Sequence, residues 1–484
     1  MPSQRSPKAG AEGPGAAGAA LAVLLAVGAA YANALVAGFQ FDDWDVIVRD
    51  PRVQGIAAWW QAMPGMRPLL KLGYALNHAA SAGPAGFHAV NVVLHAGNGL
   101  LVLWLARALF GRCGYPPVAV RWLALGTALV FVLHPVQTEA VTYASGRSVS
   151  QATLFALAAI ATWVAGRDRG SAFLVHAVSP ACLVLAVASR ETAVVLPLAL
   201  WLWAAADPTR PFRPGEVLRA TAVHGAVLVA AGAVLLTLPA YRDLLAASLA
   251  TRGPLANLLA QADGIAWLAG QIIRLDRLNA DPALPVGAGI DAGRVATLAA
   301  LAGAAALALA GLRRRPLPAF AVLWFLLWLA PTNSLLARLD LANDRQLYAA
   351  LLGPALLVAA AAYRLAGGRG AVAALGLAPL VVALGVATHL RNEVYRDEVT
   401  FWQDVAAKAP HNARAFNNLG VALASRCDLA GAGGAWARAL ALEPGYVRAA
   451  VNLRLLRAGL LPAGVGPCGP APVAGAPLPG EARR

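Results

Sequence analysis

The chain has 484 residues, of which 59% are hydrophobic and only 13% are charged, and its mean hydropathy is +0.61. Soluble domains are roughly 45–50% apolar and about 25% charged, so this composition excludes a soluble globular protein and indicates a protein embedded in a lipid bilayer. The net charge of +15 is carried largely by arginines in short loops between apolar runs, where basic residues set membrane topology. We therefore expect no nucleic-acid binding.

Apolar stretches of the length that a bilayer requires predict an all-α polytopic fold with about 11 transmembrane helices. The first stretch follows Arg5 and Lys8 and is interpreted as a retained signal anchor, with residues 1–15 forming a cytoplasmic tail. The predicted spans are 16–36, 87–110, 121–138, 150–166, 171–188, 192–206, 221–240, 293–312, 317–336, 347–366 and 370–389.

Threading these spans from a cytoplasmic start places the arginine clusters, such as Arg313 to Arg315, on the cytoplasmic side, as the positive-inside rule requires. The first outer loop, 38–86, and several later acidic and basic residues then share the opposite face. Residues 264–275 are apolar enough to insert, but a full span there would move the arginine cluster outside. We interpret that segment as re-entrant or interfacial.

A 34-residue period appears after Leu390, where the composition becomes amphipathic. This period is typical of tetratricopeptide repeats, and it predicts a short helical repeat module over 391–460 that is expected to bind protein. The Pro/Gly/Ala-rich end, 461–484, is predicted to be a disordered tail. The matched pairs are Trp402 and Trp436, Pro410 and Pro444, Arg414 and Arg448, Asn418 and Asn452, and Leu419 and Leu453.

An acidic pair, Asp42 and Asp43, follows the first span between Phe41 and Trp44. Partial desolvation and a neighbouring carboxylate both raise the pKa of an aspartate toward the range of a general base. Acidic residues that only solvate an outer loop are the alternative explanation, but the other polar motifs on the same face favour a catalytic role.

Polar residues also recur at helical spacing in the second span, at His88, Asn91, His95 and Asn98. The two histidines are seven residues apart, or roughly 10 Å along a helix, which is too far for both to bind one metal ion. We expect interhelical hydrogen bonds or the lining of a polar cavity.

Arginine and acidic residues occur together at three further outer turns. Such residues form structural ion pairs, or the arginines offer a planar guanidinium to a phosphate while the acids orient them. The sequence leaves both interpretations open. The turns are His134-Pro135 to Glu139 with Ser145-Gly146-Arg147, Ser189-Arg190-Glu191-Thr192, and Asn343-Asp344-Arg345 with Tyr348.

Taken together, these motifs resemble the transmembrane and tetratricopeptide-repeat protein O-mannosyltransferases and their bacterial relatives, of the multispan C-type glycosyltransferase superfamily. Their order and spacing cover nearly the whole of 16–390, which the resemblance identifies as the catalytic domain. The matching pieces are Phe41-Asp42-Asp43, Asp50-Pro51, Arg67-Pro68-Leu69, Phe87-His88 with Asn91 and His95, His134-Pro135, Thr138-Glu139-Ala140-Val141, Ser145-Gly146-Arg147, Arg190-Glu191-Thr192-Ala193, and Asp344-Arg345 with Tyr348.

The resemblance implies transfer of a sugar, typically mannose, from a polyprenyl-phosphate donor to a Ser or Thr hydroxyl of a protein, or to a glycan, on the extracytoplasmic side. Asp42 or Asp43 is expected to be the base, with Asp42 favoured. No cofactor is expected to be required, although the acidic pair leaves Mg²⁺ or Mn²⁺ open. Binding of the substrate and the lipid phosphate is expected from Arg67, His88, His134, Glu139, Arg147, Arg190, Glu191, Arg345 and Tyr348.

The chain departs from the family pattern in its short repeat region, in the segment near 264–275, and in Asn343, which replaces the usual acid. A non-catalytic scaffold that recruits partners through its repeats is the first alternative function. A transporter is the second, although the charges gather at one face rather than along a path across the bilayer. The composition favours a bacterial cytoplasmic membrane, with the endoplasmic reticulum as the alternative.

Overall fold

The computed structural model describes residues 13–63, 65–287, 289, 291–334, 337–462 and 465–466. Within these ranges every regular element is helical and none is a strand, which confirms the all-α prediction. Two compact units are present: the first comprises the chain up to Ala280 and Leu284–Asp397, and the second comprises Asp281–Ala283 and the chain from Glu398. Most of the predicted tail, 461–484, and most of the N-terminal tail lie outside the described residues.

The first unit opens with a helix, an outer-loop region of short helices, and then long apolar helices. Proline starts several of these helices, as expected, because a proline at the first helical position loses no intrahelical hydrogen bond. The helices are α1 (Ala16–Ala30), α2 (Ile56–Gln61), α3 (Pro68–Ala80), α4 (Pro84–Arg112), α5 (Pro117–Leu133), α6 (Thr138–Val141), α7 (Arg147–Arg169), α8 (Ser179–Ser189), α9 (Leu196–Ala206), α10 (Pro214–Thr237), α11 (Pro239–Thr251), α12 (Pro254–Gln271), α13 (Ala292–Gly311), α14 (Pro316–Leu329), α15 (Leu347–Ala350), α16 (Leu352–Leu365) and α17 (Gly370–Asn392).

Among the described residues, five helical segments are long and apolar enough to cross a membrane. The number is seven if each of two bent pairs, α5 with α6 and α15 with α16, is one span. The remaining predicted spans coincide with four shorter apolar segments, which contain α1, α8, α9 and α14. The count of eleven spans therefore stays a prediction. The segment 264–275, predicted to be re-entrant, forms the second half of the single helix α12, which does not pass the test for a span.

The core of the first unit lies among α4, α5, α7 and α14. Of the apolar stretch centred on α7, 67% is buried by other helices, whereas the corresponding value for α13 is 6%. An apolar helix with so little protein around it presents its side chains to lipid. Two of the core helices, α4 and α7, carry the polar residues Asn91 and Arg147.

Two polar clusters lie at opposite ends of α4 and α7. At their C-terminal ends, Arg112 contacts Asp168 and Asp207. Their N-terminal ends carry Asn91 and Arg147, which belong to the predicted site. Asn91 and Arg112 lie on the same helix, α4. At a rise of about 1.5 Å per residue their spacing is roughly 30 Å, which is about the thickness of a bilayer core.

The second unit contains the helices α18 (Glu398–Lys408), α19 (Ala413–Ser425), α20 (Leu429–Leu442) and α21 (Val447–Arg457). Trp436 is fully buried and donates its indole N–H to the Asn417 carbonyl at 3.1 Å. A Cβ atom at Gly420 would lie 2.4 Å from that indole nitrogen, so the tryptophan requires glycine on the facing helix. The large Trp436 side chain on α20 thus packs against the small Gly420 on α19, as neighbouring helices of a repeat do. The assignment of this module as tetratricopeptide repeats stays a prediction.

Candidate functional site

Asp43 is buried in the loop region between α1 and α4. Its carboxylate accepts the Gln40 backbone N–H at 2.9 Å and the Ser145 backbone N–H at 2.7 Å, and the residue has no exposed surface. Burial raises the pKa of this carboxyl group to about 7, against the effect of the two hydrogen bonds. Asp43 thereby joins the first outer loop to the turn before α7.

Asp42, by contrast, is only partly buried. Its backbone N–H donates to the Tyr143 hydroxyl at 2.8 Å, and its carboxylate lies within electrostatic range of Tyr143 and Arg345. The preceding residue, Phe41, has a φ of +40°, a left-handed conformation that costs energy for a bulky side chain. The backbone is thus strained immediately before the two aspartates, of which Asp43 is buried and Asp42 is partly exposed.

Arg67 and Glu191 form an ion pair across the site. The Arg67 Nε lies 3.1 Å from both Glu191 carboxylate oxygens, and Nη2 lies 3.0 Å from Oε2. Glu191 also accepts the Tyr241 hydroxyl at 2.7 Å. Two residues that the sequence analysis placed at separate turns are therefore direct partners.

Glu139 holds the turn that carries Arg345. Its Oε2 accepts the Arg345 backbone N–H at 2.9 Å, and its Oε1 lies 3.5 Å from the Arg345 Nε. A Cβ atom at Gly146 would lie 2.3 Å from the Glu139 carbonyl oxygen. The glycine of the Ser145-Gly146-Arg147 motif is therefore required by the close approach of α6.

Arg190 and Arg345 line one cleft. Arg190 is mostly buried and donates through Nη1 to the Ser148 hydroxyl at 2.8 Å, which is a neutral acceptor. Burial and the neighbouring Arg67 and Arg338 lower the pKa of Arg190. The cleft is completed by Val149, Ala152, Thr153, Thr192, Ala193, Trp328, Thr332, Gln346 and Ala349.

Arg147, which the sequence analysis assigned to substrate or phosphate binding, lies elsewhere. It has no exposed surface, and its guanidinium donates to Asn91 Oδ1 at 2.7 Å, Asn77 Oδ1 at 2.6 Å, the Phe87 carbonyl at 2.9 Å and the Gly73 carbonyl at 3.2 Å. Its carbon Cζ also lies 5.0 Å from the Tyr74 ring centre. Protein acceptors thus occupy the guanidinium of Arg147, which joins α3, α4 and α7. Its assignment to phosphate binding stays a prediction.

Three further predicted binding residues are also interior. His88 is buried in α4, and His134 accepts the Val136 N–H and contacts the Ile272 carbonyl at 3.0 Å. The Tyr348 hydroxyl is fully buried against His95 Nδ1 at 2.7 Å. The His95–Tyr348 contact is an interhelical hydrogen bond, whereas both ring nitrogens of His88 are buried without an acceptor or donor among the described residues. The assignment of His88, His134 and Tyr348 to substrate binding stays a prediction.

Arg338 joins the site although no motif identifies it. Its side chain lies within electrostatic range of Arg345, Arg67 and Glu139, and burial together with Arg345 lowers its pKa to about 10. The backbone carbonyl of Arg338 accepts Arg252 Nη2 at 2.6 Å. The sequence signal that points to it is its position between two apolar stretches, seven residues before Arg345.

The part of the chain that the structure describes contains no cluster of three or more His, Cys, Asp or Glu side chains arranged for a metal ion. Both oxygens of Asp43 already accept backbone N–H groups, so this residue fits poorly as a bidentate ligand for the Mg²⁺ or Mn²⁺ that the sequence left open. Metal dependence stays a question for experiment.

Comparison with known proteins finds no matching family profile and no significantly matching solved structure. The chain is 33% identical over 135 residues to the protein O-mannosyl-transferase Tmtc2 of Drosophila melanogaster, covering 24% of this chain and 14% of that protein. It is 31% identical over 149 residues to human protein O-mannosyl-transferase TMTC4, covering 26% and 20%. It is also 26% identical over 216 residues to protein O-mannosyl-transferase F38B6.6 of Caenorhabditis elegans, covering 41% and 30%.

The matched segments thus span less than a third of these relatives' own lengths. They nonetheless confirm the resemblance drawn from the motifs. Segments of this chain are similar in sequence to the TMTC-like protein O-mannosyl-transferases.

Proposed function

We propose that this protein is a membrane glycosyltransferase that moves a sugar, mannose by analogy with the names of its relatives, from a polyprenyl-phosphate donor to a Ser or Thr hydroxyl of a protein. The observation that carries the proposal is the position of the Asp42 carboxylate within electrostatic range of Arg345, beside a cleft that Arg190 and Arg345 line. This proximity supports the proposal that Asp42 is the base and that the arginines bind the anionic phosphate.

The chemistry requires both groups. The Asp42 carboxylate takes the proton of the acceptor hydroxyl, whose oxygen attacks the anomeric carbon, while the bond from that carbon to the phosphate oxygen breaks. The lipid phosphate leaves with the bonding electrons and gains negative charge. Guanidinium groups aimed at that charge stabilise the transition state more than the ground state. A single displacement of this kind inverts the configuration at the anomeric carbon.

Asp42 is assigned as the base and Asp43 as its support, because the two carboxylates have different environments. Both Asp43 oxygens are bound to backbone N–H groups in the interior, where an acceptor hydroxyl has no access. Asp42 retains exposed surface. Glu139 and Glu191 hold Arg345 and Arg67 in place, which is a positioning role.

The finer features follow the same proposal. An eleven-span C-type glycosyltransferase domain receives the prenyl chain among its helices. The repeat-like module recognises the protein acceptor, and the active site faces the extracytoplasmic side of a bacterial cytoplasmic membrane.

Labelling by a membrane-impermeant thiol reagent tests this orientation of the active site. Asp45→Cys should react in intact cells and Arg169→Cys should not, and the reverse pattern would contradict the threading.

The test of activity is transfer of labelled mannose from polyprenyl-phosphate mannose to Ser/Thr peptides by the purified full-length protein in lipid. Asp42→Asn should lower turnover about 10²–10⁴-fold without loss of folding. Asp45→Asn is the matched control, since Asp45 lies in the same loop with its side chain 77% exposed. Absence of transfer by the wild type with several sugar donors, or full activity in Asp42→Asn, would contradict the proposal.

A further inference from the structure

Within the described residues, the arginines around the cleft differ in how their hydrogen-bond donors are used. Arg67 is hydrogen-bonded to the Glu191 carboxylate, whereas Arg345 forms only an ion pair with Glu139, at 3.5 Å between Nε and Oε1. Arg190 donates only to the neutral Ser148 hydroxyl. Arg338 makes no side-chain hydrogen bond within those ranges, and its Nη1 is buried without an acceptor, as is the Nε of Arg345.

Buried guanidinium N–H groups without acceptors are costly, because they have lost their hydration and gained nothing in return. The segment that carries Arg338 is nevertheless held firmly, since Ser248 Oγ donates to the Ala337 carbonyl at 2.7 Å and Asn257 Nδ2 donates to the Ser334 carbonyl at 2.6 Å. A side chain maintained at such a cost by an anchored backbone indicates a ligand that supplies the missing acceptors.

We propose that Arg338, together with Arg190, forms the part of the site that binds the phosphate of the polyprenyl product, and that this pair prefers a phosphate monoester to the phosphodiester of the donor. The inference rests on the proposed function and deepens it. Arg67 then shapes the site through its glutamate partner, while Arg338 adds to the anion-binding surface that Arg190 and Arg345 provide.

The preference for the monoester follows from charge. The sugar donor is a phosphodiester with one negative charge, and cleavage of its bond to the sugar yields a monoester that carries a charge between about −1.5 and −2 near pH 7. Two guanidinium groups whose donors no carboxylate occupies therefore gain interaction energy as the bond breaks. Groups that bind the product anion better than the donor lower the barrier to the chemical step.

The first experiment measures binding apart from catalysis. Farnesyl phosphate, a short polyprenyl monoester, should raise the thermal stability of the full-length protein in detergent, while its methyl diester should do so only at concentrations at least about 10-fold higher, which one lost ion pair explains. Inorganic phosphate and farnesol, added separately, distinguish recognition of the headgroup from recognition of the chain. Arg338→Gln should abolish the preference for the monoester.

Arg242→Gln is the matched control, because Arg242 is an exposed arginine on α11. Arg338→Lys keeps the charge but loses the planar fork, so it should restore part of the monoester binding if charge is what matters. A phosphate monoester that stabilises Arg338→Gln as well as the wild type would overturn the inference.

The second experiment is kinetic. In the mannose-transfer assay, Arg338→Gln should lower kcat about 10–100-fold with a small change in KM, and the inhibition constant of the polyprenyl phosphate product should rise by a similar factor. If the wild type transfers no sugar but binds farnesyl phosphate through Arg338, the proposed function fails and the anion site is supported. If transfer occurs and Arg338→Gln retains the wild-type kcat and product inhibition, the inference fails and the proposed function stands.

Discussion

Replacement of Arg147 tests whether the buried guanidinium is the structural centre of the outer loop. Arg147→Met keeps most of the side-chain volume and removes every donor. Because Asn91 Nδ2 already donates to the carbonyls of Val141, Tyr143 and Ala144, the Asn91 amide cannot rotate to pair its oxygen with another donor. The Oδ1 atoms of Asn91 and Asn77 are thus left unsatisfied in the interior.

Each unsatisfied buried acceptor costs about 1–3 kcal/mol, and loss of the cation–π contacts with Tyr74 and Phe87 adds about 1–2 kcal/mol. Part of this loss is offset, because the variant no longer has to bury a charged group, and desolvation of an ion costs several kcal/mol. We expect a net loss of about 3 kcal/mol, or a fall in Tm of about 3–4 °C for a chain of this length.

Thermal unfolding of the purified protein in lipid nanodiscs, followed by tryptophan fluorescence, measures the effect. Arg219→Met is the matched control, since Arg219 is exposed on α10, and it should leave Tm unchanged within about 1 °C, as surface substitutions usually do. Arg147→Lys should fall between the two, because an ammonium group keeps the charge but cannot reach four acceptors. An Arg147→Met protein as stable as the wild type would refute the reasoning, since it would show that burial of the charge costs as much as its contacts contribute.

Three further predictions address the same region. The folded state favours the neutral form of Asp43, so the free energy of unfolding should fall as pH rises from 3.8 to about 7, by up to about 4 kcal/mol. Asp43→Asn should remove that pH dependence from the plot of Tm against pH. Parallel plots for the variant and the wild type would contradict the prediction. Gly146→Ala places a Cβ against the backbone of α6 and should cost about 1–3 kcal/mol, whereas Gly225→Ala, where the space is open, should not destabilise the protein. Incubation with EDTA should leave mannose transfer unchanged, and restoration by Mg²⁺ or Mn²⁺ of an activity lost on chelation would instead show that a metal acts at Asp42.

Much of the fold follows from hydrophobic patterning. A long apolar stretch in a bilayer forms a helix, because a helix satisfies its backbone hydrogen bonds internally. The same patterning brings the polar turns of alternate connections to one end of the bundle, which is why Arg67 meets Glu191 and Arg345 meets Glu139. The type of each polar residue and its position relative to the spans can be read from the sequence, and together they predict which residues gather at this end of the bundle.

What the sequence does not reveal is the partner of each polar group. Arg147 and Arg190 look alike as arginines at helix starts, yet one is saturated by amide and carbonyl oxygens and the other lines the cleft. Tyr348 lies one helical turn beyond Arg345, but its hydroxyl points to His95. Arg338 belongs to an irregular segment fixed by side chains of α11 and α12, and no periodicity signals such a connection.

Arg67 has a φ of +50° and directly precedes Pro68, so two separate demands fall on one position. Glycine would relax the backbone and delete the guanidinium, whereas lysine would retain a cation and the unfavourable dihedral angle. A library at this position should therefore not follow ordinary similarity between amino acids. If the glycine variant keeps the stability of the wild type and the lysine variant keeps its activity, then the backbone angle of Arg67 matters for stability and its positive charge for activity.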